Sequence, residues 1–326
     1  MKIVLIGPGC MPIPSPGWGA VERIVWDYYQ ILSGDTKGMG HEVHIINTSN
    51  HHEIIRQCNA LEPDVAHIMY DDHIPIANAL TAPRILYTSH FAYLTSPQLE
   101  TSYSGYFHGI FLQVIRQRDN TRLWINAIST EIANLYARYG FPRERIRNMR
   151  NGARDDLFRF TMEPALADKS IYLGKVETRK GQYKYQSISD IDFVGNYHDS
   201  PFNRGSSAYK GEWSKERLYQ EMTEYGNLVL LSSGEADPLV VKEALVAGLG
   251  VVVSECASAN LDIDPITKPW ITVIPNSELN NLEYVTKKIK ENIKSALASR
   301  AEIREYGLAR FGWSQILKEY LANIAT

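Results

Sequence analysis

The sequence predicts an α/β protein of two domains, each a parallel sheet layered with helices. Short apolar runs of strand length alternate with longer amphipathic stretches along most of the chain, the pattern of β-α units around parallel sheets. At 326 residues the chain exceeds one ordinary domain and suits two of roughly 150 residues each. The alternation is broken once, from Ile146 to Phe160, by a charged stretch holding Asn151-Gly152 that has the character of a connection. The expected division therefore falls at 158/159.

Taken in order, Lys2–Ile6 is a buried strand ending at Gly7-Pro8-Gly9, and it is too short for a signal-peptide core or a membrane span. A helix follows over Ala20–Leu32, and Gly38-Met39-Gly40-His41 turns the chain back toward a strand at Glu42–Asn47. Further strands are predicted at Val65–Tyr70, Arg84–Thr88 and Trp124–Ile128. Residues 91 to 122 are aromatic and basic, with Arg116, Arg118 and Arg122, and show little periodicity. A loop and helix with solvated charges is the expectation there. In the second half a strand begins at Ser170 and covers Ile171–Leu173. Others follow at Ile191–Val194, Leu228–Leu231 and Val251–Val253, with helices over Lys215–Tyr225, Pro238–Ala247 and Tyr284–Ser299. The segment Trp313 to Ile324 is amphipathic, with Ile316, Leu317, Tyr320 and Leu321 on one helical face.

Composition excludes several function classes. Hydrophobic content of 44% with 22% charged residues is that of a globular chain, neither disordered nor membrane-spanning. Lys+Arg number 34 against 37 Asp+Glu, so no overall basic field is present to attract nucleic acid. Cys10, Cys58 and Cys256 are scattered, without zinc or disulfide spacing, and a reducing cytoplasm is expected. Gly7-x-Gly9 after the first strand invites a dinucleotide site. Pro12 then occupies the third glycine position, and the second strand ends in Asn47-Thr48 rather than an acidic residue, so NAD is not expected. Asp71-Asp72-His73 lacks a second ligand cluster and is kept as an acceptor-side contact, not a metal site.

Two segments carry most of the chemistry. In Ser232-Ser-Gly-Glu235-Ala-Asp237-Pro238-Leu239-Val240-Val-Lys242-Glu243, Asp237 is a good helix cap and Pro238 a good first helical residue. The free amides of such a helix, at strand ends, form a phosphate site. Glu235 before it and Glu243 within it can flank a ligand bearing a ribose diol or sugar hydroxyls. Read alone, Asp237 is as readily a cap and Glu243 a surface charge. The second segment, Gly174-Lys175-Val-Glu-Thr-Arg179-Lys180-Gly181, is a strand end followed by cations able to meet a diphosphate.

These segments, in this order, resemble the retaining glycosyltransferases of family 4, which have the GT-B fold. The Glu-x7-Glu signature matches Glu235 to Glu243, and Glu243 to Gly248 reproduces the following Glu-Ala-Leu-x-Ala-Gly run. Gly174-Lys175 and Lys180-Gly181 look like the family's Gly-Arg and Lys-Gly donor loop. Pro16-Gly17-Trp18-Gly19-Ala20-Val21-Glu22 is similar to its glycine-rich loop, and Gly40-His41-Glu42-Val43 to its entry into the second strand. The resemblance covers nearly the whole chain. It implies two Rossmann-like domains facing each other across a cleft: an acceptor domain over 1–158, rejoined by a C-terminal helix over 309–326, and a donor domain over 159–308.

The resemblance also implies roles. Lys175 and Lys180 would hold the donor diphosphate, Glu243 the ribose hydroxyls, and Glu235 with the amides around Leu239 and Val240 the transferred sugar. Asp237 belongs to the same donor set. Gly19 would let backbone approach donor or acceptor. His90, after the strand Arg84–Thr88, matches a histidine that reaches the donor sugar, so His90, Glu235 and Lys180 form the expected catalytic set. The implied reaction is a hexosyl-type transfer (EC 2.4) with retention and no cofactor or obligate metal, in which the departing diphosphate helps deprotonate the acceptor. Three departures stand out. Lys175 replaces an arginine and so loses a bidentate fork, Ala20 replaces a glycine, and the interval from Gly181 to Leu228 is short. The last leaves the base pocket, sought near Gly195, Gly211 and Trp213, open between uridine and guanosine, with a UDP-sugar favoured over GDP-mannose. The acceptor is a glycan, a lipid or a small molecule, with Trp18, Asp71 and Asp72 as candidate contacts and a lipid acceptor implying peripheral membrane contact. The rival readings are a GT-B nucleotide-sugar epimerase and an inactive nucleotide-sugar-binding subunit.

Overall fold

The computed structural model describes residues 1–17, 19–34, 39–96 and 105–325. The chain divides into two compact units, Met1–Arg150 with Trp313–Thr326 (unit 1) and Asn151–Gly312 (unit 2). The first crossing thus lies at 150/151 rather than 158/159, and the return at 312/313 rather than 308/309. Hydrogen bonds explain the shift. Asn151 N–H donates to Asp237 at 2.6 Å and Ala153 N–H to the Phe311 carbonyl at 2.8 Å, so both flanks of the connection are stitched into unit 2.

Unit 1 runs β1 (Lys2–Ile6), α1 (Ala20–Ser33), β2 (Glu42–Ile46), α2 (His51–Leu61), β3 (Val65–Ile68), β4 (Arg84–Tyr87), α3 (Tyr106–Arg116), β5 (Leu123–Ala127), α4 (Thr130–Arg138) and β6 (Ile146–Asn148). Its sheet is parallel throughout, in the order β2-β1-β3-β4-β5-β6. Ile3, Val4, Leu5 and Ile6 are all fully buried, because a parallel sheet covered on both faces has no solvent side.

Unit 2 continues with β7 (Leu166–Leu173), β8 (Val176–Glu177), α5 (Gln182–Tyr185), β9 (Ile191–Val194), β10 (Tyr197–Asp199), α6 (Lys215–Glu221), β11 (Tyr225–Leu230), α7 (Leu239–Val246), β12 (Gly250–Ser254), β13 (Ile271–Ile274), α8 (Leu282–Ala298) and α9 (Arg300–Phe311). Its main sheet is parallel, in the order β13-β12-β11-β7-β9. The order reverses between β7 and β11, and in open α/β sheets the crevice for a ligand lies at the strand ends of that switch point. Only one turn of helix, α5, follows the donor loop. The expected helix Lys215–Tyr225 stops at Glu221, since Tyr225 already opens β11.

The final helix, α10 (Trp313–Ala325), belongs to unit 1. The Tyr28 ring meets Trp313 and Tyr320 edge-on, each 5.3 Å between centroids. Buried His67 lies within 2.8 Å of the Thr88 hydroxyl and 3.3 Å of the Tyr320 hydroxyl, one contact at each ring nitrogen. Arg150 closes the seam with a bidentate pair to Glu319, both bonds 3.1 Å. Among the described residues no helix is long and apolar enough to cross a membrane.

Candidate functional site

The site in unit 2 begins with the zipper between two loops, each leaving the end of a strand at the switch point. Fully buried Tyr172, on β7, accepts from Leu231 N–H at 2.9 Å and donates to the Lys180 carbonyl, tying the end of β11 to the 174–181 loop. Ser233 N–H donates to the Arg179 carbonyl at 2.9 Å, and the Arg179 guanidinium donates back to the Gly234 carbonyl. The two segments singled out in the sequence are thus held edge to edge by one backbone hydrogen bond and by the side chains of Tyr172 and Arg179.

Glu235 sits at the middle of this zipper. Lys180 Nζ lies 2.5 Å from its Oε1, Arg179 Nη1 3.6 Å from the same oxygen, and the Ser232 hydroxyl donates to it at 2.8 Å. Burial pushes the Glu235 carboxyl up, but the attraction of Lys180 and then Arg179, with hydrogen bonds from Lys180 and Ser232, outweighs it and holds the group below the ordinary glutamate value. Lys175 reaches Glu177 at 3.9 Å, at the mouth of the same loop, and Glu177 also pairs with Arg179 at 2.6 Å.

Helix α7 starts at Leu239, with Pro238 as its cap and no side-chain capping bond. Asp237 is therefore not the cap that the sequence suggests, nor does it face outward as a donor contact. Its carboxylate is 2.5 Å from Lys242 Nζ, both side chains wholly buried, and it accepts the Asn151 N–H. Lys242 also donates to the Ala259 carbonyl at 3.0 Å and lies 5.4 Å from the centre of the Phe311 ring. The ion pair removes Asp237 from the ligand side because a buried ammonium needs a carboxylate partner. Pro238 takes over the cap position at no cost in amide hydrogen bonds. The first amides of α7, Leu239 and Val240 included, have no partner within the helix and carry its positive dipole end.

Glu243 lies one turn into α7 and is 5% exposed. Lys215 Nζ, from the first residue of α6, is 2.5 Å from Glu243 Oε1, while the buried Oε2 has no hydrogen-bond partner among the described residues. Sequence reasoning missed Lys215, Tyr172 and the inward turn of Lys242. None has a motif, and only the fold sets them against their partners.

The two glycines sought around a base pocket, Gly195 and Gly211, meet just past the end of β9, beside Gly174 of the donor loop. Gly195 N–H donates to the Gly211 carbonyl at 2.9 Å, and Gly195, at φ 153°, approaches so closely that a Cβ would collide with the Gly174 carbonyl. Trp213 is turned elsewhere: its ring lies 6.3 Å from that of Tyr225, at the opposite end of β11, with the Arg217 guanidinium 4.2 Å from its centre.

The remaining residues lie in unit 1. Gly19 caps α1 at φ 124°, and a Cβ there would press on Glu22 and Met11. Trp18 lies outside the described residues. Asp71 is buried and its Oδ1 accepts from the hydroxyls of Tyr87, Ser89 and Tyr93 at 2.9, 2.8 and 3.1 Å. Asp72 accepts from the Tyr106 hydroxyl at 2.8 Å. His90 follows β4, with both ring nitrogens buried and without a hydrogen-bond partner among the described residues, and burial lowers it to about 4. Its imidazole is neutral at neutral pH. Among the described residues no three His, Cys, Asp or Glu side chains converge as a metal site.

Neither a protein-family model nor a curated protein sequence matches the chain. Solved structures do match it over essentially its whole length. Sucrose-phosphate synthase from Thermosynechococcus elongatus superposes with a TM-score of 0.74 at 15% identity, covering 99% of this chain and 98% of that one. Anabaena HepE, in complex with UDP-glucose, gives 0.71 at 13% identity over 100% and 99%. The lipopolysaccharide outer core galactosyltransferase WaaB gives 0.66 at 14% identity over 100% and 99%. The chain therefore has the GT-B fold, two Rossmann-like domains with the last helix returned to the first.

Proposed function

We propose that this protein is a glycosyltransferase that takes a sugar from a nucleoside-diphosphate sugar held by unit 2. The observation that carries the reading is the start of α7. The Arg179–Lys180 cations flank Glu235 ahead of the helix, the first amides of α7 lack helical partners, and Glu243 presents a buried oxygen, unengaged among the described residues, about 6 Å along the helix. A nucleoside diphosphate offers the matching chemistry, anionic phosphates at one end and a vicinal diol at the other. The UDP-glucose bound by HepE supports a UDP-sugar as donor over GDP-mannose.

The finer assignment to the retaining enzymes of family 4 rests on Glu235-x7-Glu243 and the donor loop. In that reaction the departing diphosphate takes the acceptor proton on the face where the new bond forms. Lys175, Arg179, Lys180 and the α7 amides stabilise the negative charge that grows on the leaving group, so the proposal includes no obligate metal. Glu235, held ionised by two cations and the Ser232 hydroxyl, grips the transferred sugar. His90 is the unit 1 residue assigned to transfer, on the family resemblance and on two ring nitrogens that are unengaged among the described residues. Asp71 and Asp72, with their tyrosines, are assigned to a hydroxyl-bearing acceptor: a glycan, a lipid or a small molecule. A cytoplasmic location accords with the three unpaired cysteines.

Calorimetric titration and thermal shift with UDP, GDP, ADP, NAD and pyrophosphate test the site. UDP is expected to stabilise the protein by mass action. Lys180→Ala is expected to weaken UDP and pyrophosphate alike by about tenfold or more, the weight of a charged hydrogen bond. Glu243→Ala is expected to weaken UDP and leave pyrophosphate unchanged. Stabilisation by NAD alone, or wild-type affinities in both variants, would sink the reading, and product analysis with UDP-glucose separates transfer from epimerisation.

A further inference from the structure

The structure assigns Lys215 a task that no motif announces: we propose that it is the positioning residue that sets Glu243 to bind the donor's ribose diol. The inference rests on the donor reading above and goes one residue beyond it.

The geometry is specific. Ser214 caps α6 by accepting the Arg217 N–H at 3.2 Å, which fixes Lys215 as the first residue of that helix. From there its ammonium reaches a single oxygen of Glu243, Oε1, at 2.5 Å. Oε2 is left buried and unengaged among the described residues. A carboxylate that is 5% exposed cannot keep its charge without a partner, and a carboxylate gripped on both oxygens would have nothing left for a ligand. Lys215 meets both conditions by holding one oxygen only. A vicinal diol then finds one strong acceptor, Oε2, already oriented, and the remaining capacity of Oε1 beside it. An orphaned buried oxygen is costly in the empty protein, and hydrogen bonds from a bound diol remove that cost. The pair therefore selects for a ribose with both hydroxyls.

Lys215 pairs with Glu243, whereas Glu235 is met by Lys180, Arg179 and Ser232, so loss of Lys215 should leave diphosphate binding alone. That separates a positioning role from a general loss of charge in the site. The test compares UDP with 2′,3′-dideoxyuridine diphosphate, and GDP with its dideoxy analogue, by calorimetry on the full chain. In the wild type the diol is expected to strengthen binding by tenfold or more. In Lys215→Met that preference is expected to fall to threefold or less, with the affinities for the dideoxy analogue and for pyrophosphate unchanged. Lys215→Arg is expected to restore at least half of the lost preference on a logarithmic scale. The ratio of the two ligands is read within each variant, so partial unfolding, which lowers both affinities together, does not disturb it. If Lys215→Met does not fold, Lys215→Gln provides the same comparison. A wild-type diol preference surviving in the folded variant that lacks the ammonium would overturn the assignment of Lys215. Failure of the wild type to bind any nucleoside diphosphate would instead overturn the donor reading itself.

Discussion

Units 1 and 2 share a layout, a parallel sheet with helices around it, yet they satisfy their buried polar groups in different ways. At the strand ends of unit 1, Asp71 is met by three neutral hydroxyls, and His67 and His90 are neutral imidazoles. At those of unit 2, carboxylates are met by cations: Glu235 by Lys180 and Arg179, Glu243 by Lys215, Asp237 by Lys242. The difference bears on what each surface can exchange for a ligand. A lysine paired with a carboxylate can turn part of its charge to an arriving phosphate without being created or protonated for the purpose. A carboxylate held by hydroxyls offers directed hydrogen bonds and suits a neutral, hydroxyl-rich molecule.

Breaking the charged arrangement should cost most at its most buried pair. Lys242→Met leaves Asp237 buried without its cation, and a loss of about 3–5 kcal/mol is expected from such a break. Chemical denaturation measures it, and Asp237→Asn in the same chain should recover part of the loss. A change below 1 kcal/mol, within the range of an exposed pair, would mean that the pair is not the buried element described above.

The neutral arrangement should instead reveal itself through pH. Burial lowers His67 from 6.5 to about 3, with His90 adding a smaller like-charge push, and burial alone lowers His90 from 6.5 to about 4. Both bind protons more weakly in the folded chain than in the unfolded one. Their contribution is therefore complete above 6.5 and is lost as the pH falls toward the folded values. Roughly 1 kcal/mol is expected to disappear per histidine between pH 6.5 and 5.5. The melting temperature over that interval reports it, and His67→Asn should flatten the profile. An unchanged slope in His67→Asn would contradict the buried neutral ring.

The smallest effect is expected where three donors share one acceptor. Tyr93→Phe removes a single hydroxyl from Asp71 and leaves Tyr87 and Ser89 in place, so about 1 kcal/mol should be lost. Equilibrium unfolding resolves a loss of that size. A loss several times larger would show that the hydroxyls act as one network rather than as separable bonds.

Much of this architecture is legible in the sequence because parallel strands are short apolar runs. β1 and β9 fall where such runs place them, and β12 extends one residue beyond its run at each end. Polar elements are harder to read. β7 extends back through Asp168 and Lys169, polar residues at a register irregularity between two stretches that pair with β11, at Leu166 and from Ser170 on. α9 opens on Arg300, which is fully buried and donates to the carbonyls of Thr161, Thr223 and Tyr225, so its amphipathic pattern is inverted at that position. α3 carries Tyr106, Phe107 and Phe111 among its apolar residues, and such aromatics also suit strands and loops. In the site, Glu235, Glu243 and Lys180 can be read from their spacing. Asp237 cannot, because whether an aspartate before a helix caps it or turns inward depends on Lys242 and on Asn151, 86 residues away.

The return of α10 has one more consequence, for the order in which the protein comes into being. Unit 2 is an uninterrupted stretch placed between β6 and α10 of unit 1. During synthesis all of unit 2 is made after β6 and before α10, so unit 1, begun first, still lacks its last helix while unit 2 is being translated. Until Trp313 and Tyr320 arrive, Tyr28 and His67 have nothing from that helix to close over them. The domain that starts first is thus finished last, and the nascent chain must keep its apolar seam out of trouble for the time it takes to translate the whole of unit 2.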